Sequence, residues 1–320
     1  MEKRYIEING VKQGMILLGE EKDKPVLLFL SGGPGIPEYL LEARYPSGLE
    51  KDFIVCYWDY RGTGLSYHRR MDPEKMTLSQ YRKDAIAVTN YLIKEFHKEK
   101  IYLMAHSFGT CIGIELAKTK PELYYAYIAV SQITNQPKSE RMAYRYMVEQ
   151  YKKFGNMKMV HKLQQYPVIE SEEGLKNYLK SSVRDGCMHD LGIGTTHKMK
   201  SVVKEIFFPS LRLKGYSIRQ RLNIWRGKLF AAKTKVREDS FAFNAFDKIE
   251  TINIPIYFFA GRYDYTCCYY LQKEYYKQLK APRKKFYTFE ESAHSPVFEE
   301  PIKTRKIIEK EILAKSELLR

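Results

Sequence analysis

The chain has 320 residues and a mass of 37.7 kDa, enough for one large domain or two smaller ones. Its 54 Lys+Arg against 38 Asp+Glu give a formal charge of +16, which suits nucleic acid, an anionic surface or acidic substrates without choosing among them. A mean hydropathy of -0.47, with no run of about 18 uncharged apolar residues, argues against a membrane-spanning helix.

The opening Met1 to Gly10 alternates charged and apolar residues and lacks the apolar core and cleavage site of a secretory leader, so a cytoplasmic protein is expected. Five scattered cysteines, Cys56, Cys111, Cys187, Cys267 and Cys268, do not make a disulfide framework and are expected to be reduced.

Residues 4 to 19 are predicted as two short strands about Asn9-Gly10, a dipeptide suited to a hairpin whose central positions both take positive φ. Nearly continuous apolar runs follow at Val26 to Leu30, Phe53 to Trp58, Ile101 to Ala105, Tyr125 to Val130 and Ile256 to Ala260. Runs of that length belong to strands covered on both faces, as in parallel sheets. Between the second and third, Leu78, Tyr81, Ala85, Val88, Leu92 and Phe96 recur three or four apart. That spacing predicts a helix over Thr77 to His97, opened by a capping box of Thr77 and Gln80. Further helices are predicted over Phe108 to Lys118, over Cys267 to Leu279 and from Pro301 onward, with a last strand over Lys285 to Phe289. Alternating strand and helix give an α/β fold with a mostly parallel, doubly wound sheet.

From Ser131 to Asp247 no apolar strand run occurs, and amphipathic helices are predicted at Ser139 to Phe154, Glu172 to Arg184 and Ser217 to Lys235. Residues 131–247 therefore read as a helical cap inserted into a core of residues 1–130 and 248–320. The cap holds 22 Lys+Arg and 11 Asp+Glu, so +11 of the net charge lies there. These charges are dispersed and no nucleic-acid-binding module accompanies them, so a solvated face is expected, with neither nucleic acid nor membrane as a partner.

The strand Ile101 to Ala105 runs into His106-Ser107-Phe108-Gly109 and then directly into an apolar helix. A serine at such a sharp bend projects its hydroxyl above the sheet, and the tight turn demands small residues two before and two after it, here Ala105 and Gly109. A hydroxyl becomes a nucleophile when a base removes its proton, and that base needs an acidic partner. Asp264, after the strand Ile256 to Ala260, and His294, after the last strand, both fall at strand carboxyl ends, where open α/β sheets place their sites. Ser107, Asp264 and His294 are thus the candidate catalytic residues, in the chain order Ser, Asp, His of the α/β-hydrolases. Amides of Phe108 and of Gly33, in Ser31-Gly-Gly-Pro-Gly35, are the candidate oxyanion donors. His106 reads as a packing residue turned away from Ser107, and Cys267-Cys268 as structural. Cys187, His189 and His197 lack a fourth partner and finger spacing, so neither metal nor cofactor is expected.

Taken in order, Ser31-Gly-Gly-Pro-Gly35, Asp59-Tyr-Arg-Gly-Thr-Gly-Leu-Ser66, the Ser107 elbow, Gly261-Arg-Tyr-Asp264 and the His294 loop resemble the prolyl iminopeptidase family of α/β-hydrolases. The resemblance implies an α/β-hydrolase fold, a structural turn at Asp59 to Ser66, a pocket formed by the cap, and release of an N-terminal residue, proline preferred, from short peptides. The chain carries Ser31 where the family has His, and Ala105 where it has Gly. The family holds the substrate ammonium on cap glutamates, one directly after a tryptophan, and here Trp225 is followed by Arg226. Trp225 with Glu149 or Glu205 are therefore the candidate substrate contacts. A second reading is a carboxylesterase or amide hydrolase for small acyl substrates. Pocket charge separates the two: carboxylates favour the peptidase, an inward Arg226 or Lys228 the esterase.

Overall fold

The computed structural model describes residues 1–21 and 23–314. Asn9 and Gly10, at φ 47° and 74°, turn β1 (Glu2–Ile8) into β2 (Val11–Leu18) as the expected antiparallel hairpin. β2 also runs antiparallel to a later strand at Ile54–Trp58. With β3 (Val26–Leu30), β4 (Ile54–Trp58), β5 (Ile101–His106), β6 (Tyr124–Val130), β7 (Ile256–Gly261) and β8 (Lys284–Phe289) the sheet has the order β1-β2-β4-β3-β5-β6-β7-β8. Every pairing from β4 to β8 is parallel.

Strands β3, β4, β5 and β7 are buried at every position. Alternate residues feed opposite faces: Val26, Leu28 and Leu30 join one apolar cluster, Leu27 and Phe29 the other. Both faces therefore need cover, which is why the runs are continuously apolar. Side chains of α1 (Tyr39–Arg44) cover one face, and those of α2 (Leu78–Glu95) and α3 (Gly109–Thr119) the other. The start of α2 differs from expectation. Thr77 Oγ1 accepts from the Gln80 amide (3.1 Å), but the Gln80 side chain donates to Asp84 (2.8 Å) instead of returning to the cap.

Between β6 and β7 the regular elements are helical. They are α4 (Gln136–Lys153), α5 (Met157–Gln164), α6 (Glu172–Lys180), α7 (Ser182–Asp190), a π-helical turn at Val203–Phe207, α8 (Phe208–Ser210), α9 (Ile218–Ala231), α10 (Lys235–Phe241) and α11 (Ala245–Lys248). The single helix predicted over Glu172 to Arg184 is two, because Ser181 takes extended backbone (ψ 157°) and starts a new helix. The reciprocal capping box occurs instead at α9, between Ser217 and Gln220.

These helices do not share one interior. Ala143, Met147, Leu163, Leu175, Tyr178 and Met188, from α4 to α7, form their own cluster, whereas Ile224, Ala231, Val236 and Phe243 join the clusters of the sheet. Glycines make the second arrangement possible. A Cβ on Gly35 would meet the carbonyl of Gly227 at 2.8 Å, and one on Gly227 would collide with the carbonyl of Gly62, so the α9 backbone lies directly on the loops after β3 and β4. After β7 come α12 (Tyr269–Gln278), α13 (Pro296–Glu299) and α14 (Pro301–Ile307), which continues as a π-helical segment at Ile308–Leu313. No helix among the described residues is long and apolar enough to cross a membrane.

The Asp59 to Ser66 segment is pinned by a fully buried ion pair. Arg61 Nε lies 2.8 Å from Asp84 Oδ2, with side chains 2% and 0% exposed, and Asn9, Gln13 and Gln80 donate to the same carboxylate. Removing one partner of a buried pair strands the other's charge, so Asp84→Ala is expected to destabilise the fold by about 3–5 kcal/mol. Chemical denaturation of the variant against the parent protein measures this, and a loss under about 1 kcal/mol would show that water reaches Arg61.

Candidate active site

β5 ends in a turn that holds Ser107 at φ 50°, a left-handed conformation costly for a side chain that is not glycine. The turn is fixed from both sides. The Ser107 amide donates to the Val130 carbonyl (3.0 Å), and a methyl on Gly109 would collide with the Leu30 carbonyl. Ala105 is accommodated because Gly113 faces it, an added Cβ there lying 2.9 Å from the Ala105 methyl. The hydroxyl so presented meets the base expected from the last loop: Ser107 Oγ and His294 Nε2 are 2.8 Å apart.

His294 Nδ1 lies 3.1 Å from both oxygens of Asp264, which is wholly buried. The amide of Cys267 (2.9 Å) and Gln272 Nε2 (3.3 Å) also donate to that carboxylate. Burial would raise the Asp264 pKa, but His294 and the Cys267 amide outweigh it and hold the carboxyl below its ordinary value. The three side chains thus come together from the carboxyl ends of β5, β7 and β8.

Two glutamates absent from the sequence reading set the loops around them. Glu299 Oε1 accepts from the amides of Ala293 (3.0 Å) and Ser295 (3.2 Å), gripping the His294 loop on both sides, and Oε2 accepts from the His197 amide (2.6 Å). Burial pushes its carboxyl up to about 7 against those three donors. Glu38 Oε2 accepts from the Gly32 amide (2.6 Å). The amides of Gly33, at φ 60°, and Phe108 donate to no other group among the described residues. Gly33 lines the cavity above Ser107, and the Phe108 ring is buried against Tyr60 and Tyr81. His106 is more than packing: it also lines the cavity, and its ring nitrogens bond Glu38 and the His294 carbonyl, each at 2.8 Å.

A cavity of about 340 Å³ opens onto Ser107 and His294. Ile36, Leu40, Leu41, Val202 and Ile206 give it apolar lining, and Arg184, Asp185, His189 and Lys228 supply polar groups. Arg184 is held by both oxygens of buried Glu140 (2.7 Å each) and donates to Asp185 Oδ1 (2.7 Å). Burial lowers the Lys228 pKa, and its ammonium lies 5.2 Å from the Trp225 ring centroid.

The three substrate contacts expected in the cap do not reach this cavity. Trp225 packs on Phe207 and donates to Ser210 (2.8 Å), Glu205 accepts from the Lys200 amide (3.0 Å), and Glu149 is exposed on α4. Arg226 turns to Asn223 (3.1 Å) and also stays outside. Both signs of charge therefore line the cavity: Asp185 and Glu38 are the carboxylates, and Arg184 and Lys228 the cations, with the Lys228 ammonium set over the Trp225 ring. Asp185 was illegible because Arg184-Asp185 reads as a solvated charge pair on a helix.

A family profile described as serine aminopeptidase, S33 matches residues 49–205. The probable aminopeptidase YbaC of Bacillus subtilis is 31% identical over 300 residues, covering 93% of this chain and 92% of that protein. A proline iminopeptidase of Heyndrickxia coagulans is 23% identical over 300 residues, 93% of each chain. The crystal structure of the proline iminopeptidase of Mycobacterium smegmatis superposes with a TM-score of 0.69 at 12% identity, covering 99% of both chains, and shares the fold.

Proposed function

This chain belongs to the S33 serine aminopeptidase family of α/β-hydrolases, and we propose that it hydrolyses its substrate by acyl transfer through Ser107, His294 and Asp264. The observation that carries the reading is the hydrogen-bonded line from Ser107 Oγ through His294 to Asp264 at one end of the cavity. As Ser107 Oγ attacks the substrate carbonyl, His294 Nε2 takes its proton, while Asp264 accepts from Nδ1–H and faces the imidazolium that forms. Amides of Gly33 and Phe108 hold the oxyanion. His294 then protonates the leaving amine as the C–N bond breaks. Water, deprotonated in turn by His294, releases the acyl group from Ser107.

The acyl group in this reading is the N-terminal residue of a short peptide, with proline preferred as in the proline iminopeptidases it resembles. Its free ammonium pairs with Asp185, whose Oδ1 is already oriented by Arg184. Asp185→Asn is expected to raise KM for free-amine arylamides about tenfold with kcat little changed, since one charge-assisted hydrogen bond is lost. Arg184 keeps Glu140 in that variant, so the wall stays intact. An unchanged KM would remove Asp185 from the role.

Lys228 on the cavity wall favours a second reading, an esterase or amide hydrolase for small acyl substrates. Release of fluorophore from prolyl, alanyl and blocked-prolyl arylamides, beside a short-chain p-nitrophenyl ester, separates the two, with Ser107→Ala as control. Turnover of the free-amine arylamides alone supports the aminopeptidase, and turnover of the ester alone supports the esterase.

A further inference from the structure

The geometry points to Glu38 and His106 as positioning residues that bind the oxyanion loop and the base loop to one buried pair, so that Gly33 and His294 are aimed together. This rests on the acyl-transfer reading above. Both side chains are out of solvent, 2% and 4% exposed. Glu38 Oε2 takes the Gly32 amide at 2.6 Å, and its Oε1 takes His106 Nδ1 at 2.8 Å. His106 Nε2 reaches the carbonyl of His294 at 2.8 Å, where Ser131 Oγ, also at 2.8 Å, is the only other donor among the described residues. The chain of contacts therefore runs from the amide next to Gly33, through a carboxylate and an imidazole, to the backbone of the base. Glu38 is itself anchored, its amide donating to Ser31 Oγ at 3.1 Å.

The proton count of the pair follows from its partners. A carbonyl only accepts, so His106 Nε2 carries hydrogen, and the Gly32 amide only donates, so Glu38 Oε2 accepts. One further proton lies between Nδ1 and Oε1. Burial alone would drive His106 toward its neutral form, but the Glu38 carboxylate and the His294 carbonyl outweigh it and raise its pKa. The pair is a satisfied unit with no vacant position for a proton in transit, which suits it to holding geometry and not to exchanging protons with substrate.

Glutamine has the shape to replace the glutamate here. Its amide can donate to Nδ1 of a neutral imidazole while its carbonyl accepts from Gly32, so every hydrogen bond survives in Glu38→Gln and two are lost in Glu38→Ala. We expect Glu38→Ala to lower kcat about 100-fold with KM changed less than about threefold, the loss typical of reacting groups misplaced by an ångström. Glu38→Gln should recover at least tenfold of that, a rescue that a purely packing role does not predict. His106→Phe, which keeps a ring in the buried site, is the second variant should Glu38→Ala not fold, and it should fall with Glu38→Ala. Crystal structures of the same variants give a readout independent of turnover: the Gly33 amide or the His294 ring should be displaced from its place in the parent protein. Wild-type kcat in Glu38→Ala or His106→Phe, loops that superpose on the parent, or a Glu38→Gln no better than Glu38→Ala would each overturn the assignment. A parent protein that hydrolyses nothing would instead sink the acyl-transfer reading and leave positioning to be decided by the structures.

Discussion

Ser107→Ala is expected to lower kcat by about 10⁵-fold or more on any substrate the enzyme turns over, because a triad without its nucleophile keeps only the contribution of binding and the oxyanion donors. Cys267, which neighbours Ser107, offers no substitute. Cys267 is buried, and burial holds its thiol well above the ordinary cysteine pKa, so it stays protonated and unreactive. Stability should hardly change, since alanine at φ 50° bears the same backbone strain as serine and the turn keeps its bond from the residue 107 amide to Val130. The check combines steady-state turnover, labelling by a fluorophosphonate and thermal melting. A folded Ser107→Ala protein that still cleaves at more than a thousandth of the parent rate would place the chemistry on another group.

Asp264→Asn should cost about 10⁴-fold in kcat, although its shape is almost unchanged. An amide that donates to His294 Nδ1 leaves the ring proton on Nε2, where it blocks acceptance from Ser107. The remaining amide oxygen must then serve the Cys267 amide and Gln272, which now find both carboxylate oxygens. The substitution also changes the response to acid. The folded Asp264 pKa lies below its unfolded value, so the ionised carboxylate adds stability above the ordinary aspartate range, and this is lost as pH falls through the folded value. Asp264→Asn should therefore flatten the acid-side fall of the melting temperature. Kinetics near neutral pH, with melts taken as a pH series, test both halves, and a loss under tenfold would mean that Asp264 does not set the tautomer.

The strands and the meeting of Ser107, Asp264 and His294 were readable because each has a local cause. A strand covered on both faces must be apolar at consecutive positions, as Leu27 to Leu30 are, and a serine forced into a left-handed turn must sit between small residues. Two of the carboxylates that hold loops in place were not readable. Glu38 and Glu299 look like solvated charges in sequence, and only the folded loops show that backbone amides and a histidine satisfy them. The pocket wall failed for a related reason. The tryptophan in the family's position points to Ser210, and one cavity carboxylate, Asp185, comes from α7, whose separate existence depends on a break at Ser181 that no glycine or proline announces. The contacts of His106 were not readable because its partners, Glu38 and the His294 carbonyl, lie 68 and 188 residues away in the chain.

The contact of Gly35, Gly62 and Gly227 divides the pocket by how freely it can vary through descent. The wall that includes Lys228 hangs from backbone pressed on backbone, where a side chain on Gly35 or Gly227 would force α9 away from the loops after β3 and β4. The wall that includes Asp185 and Met188 belongs to helices with an interior of their own, and substitutions there leave the reacting groups untouched. Lineages that keep the chemistry and change the substrate should thus accumulate their differences on α7, with Gly35 and Gly227 staying as they are.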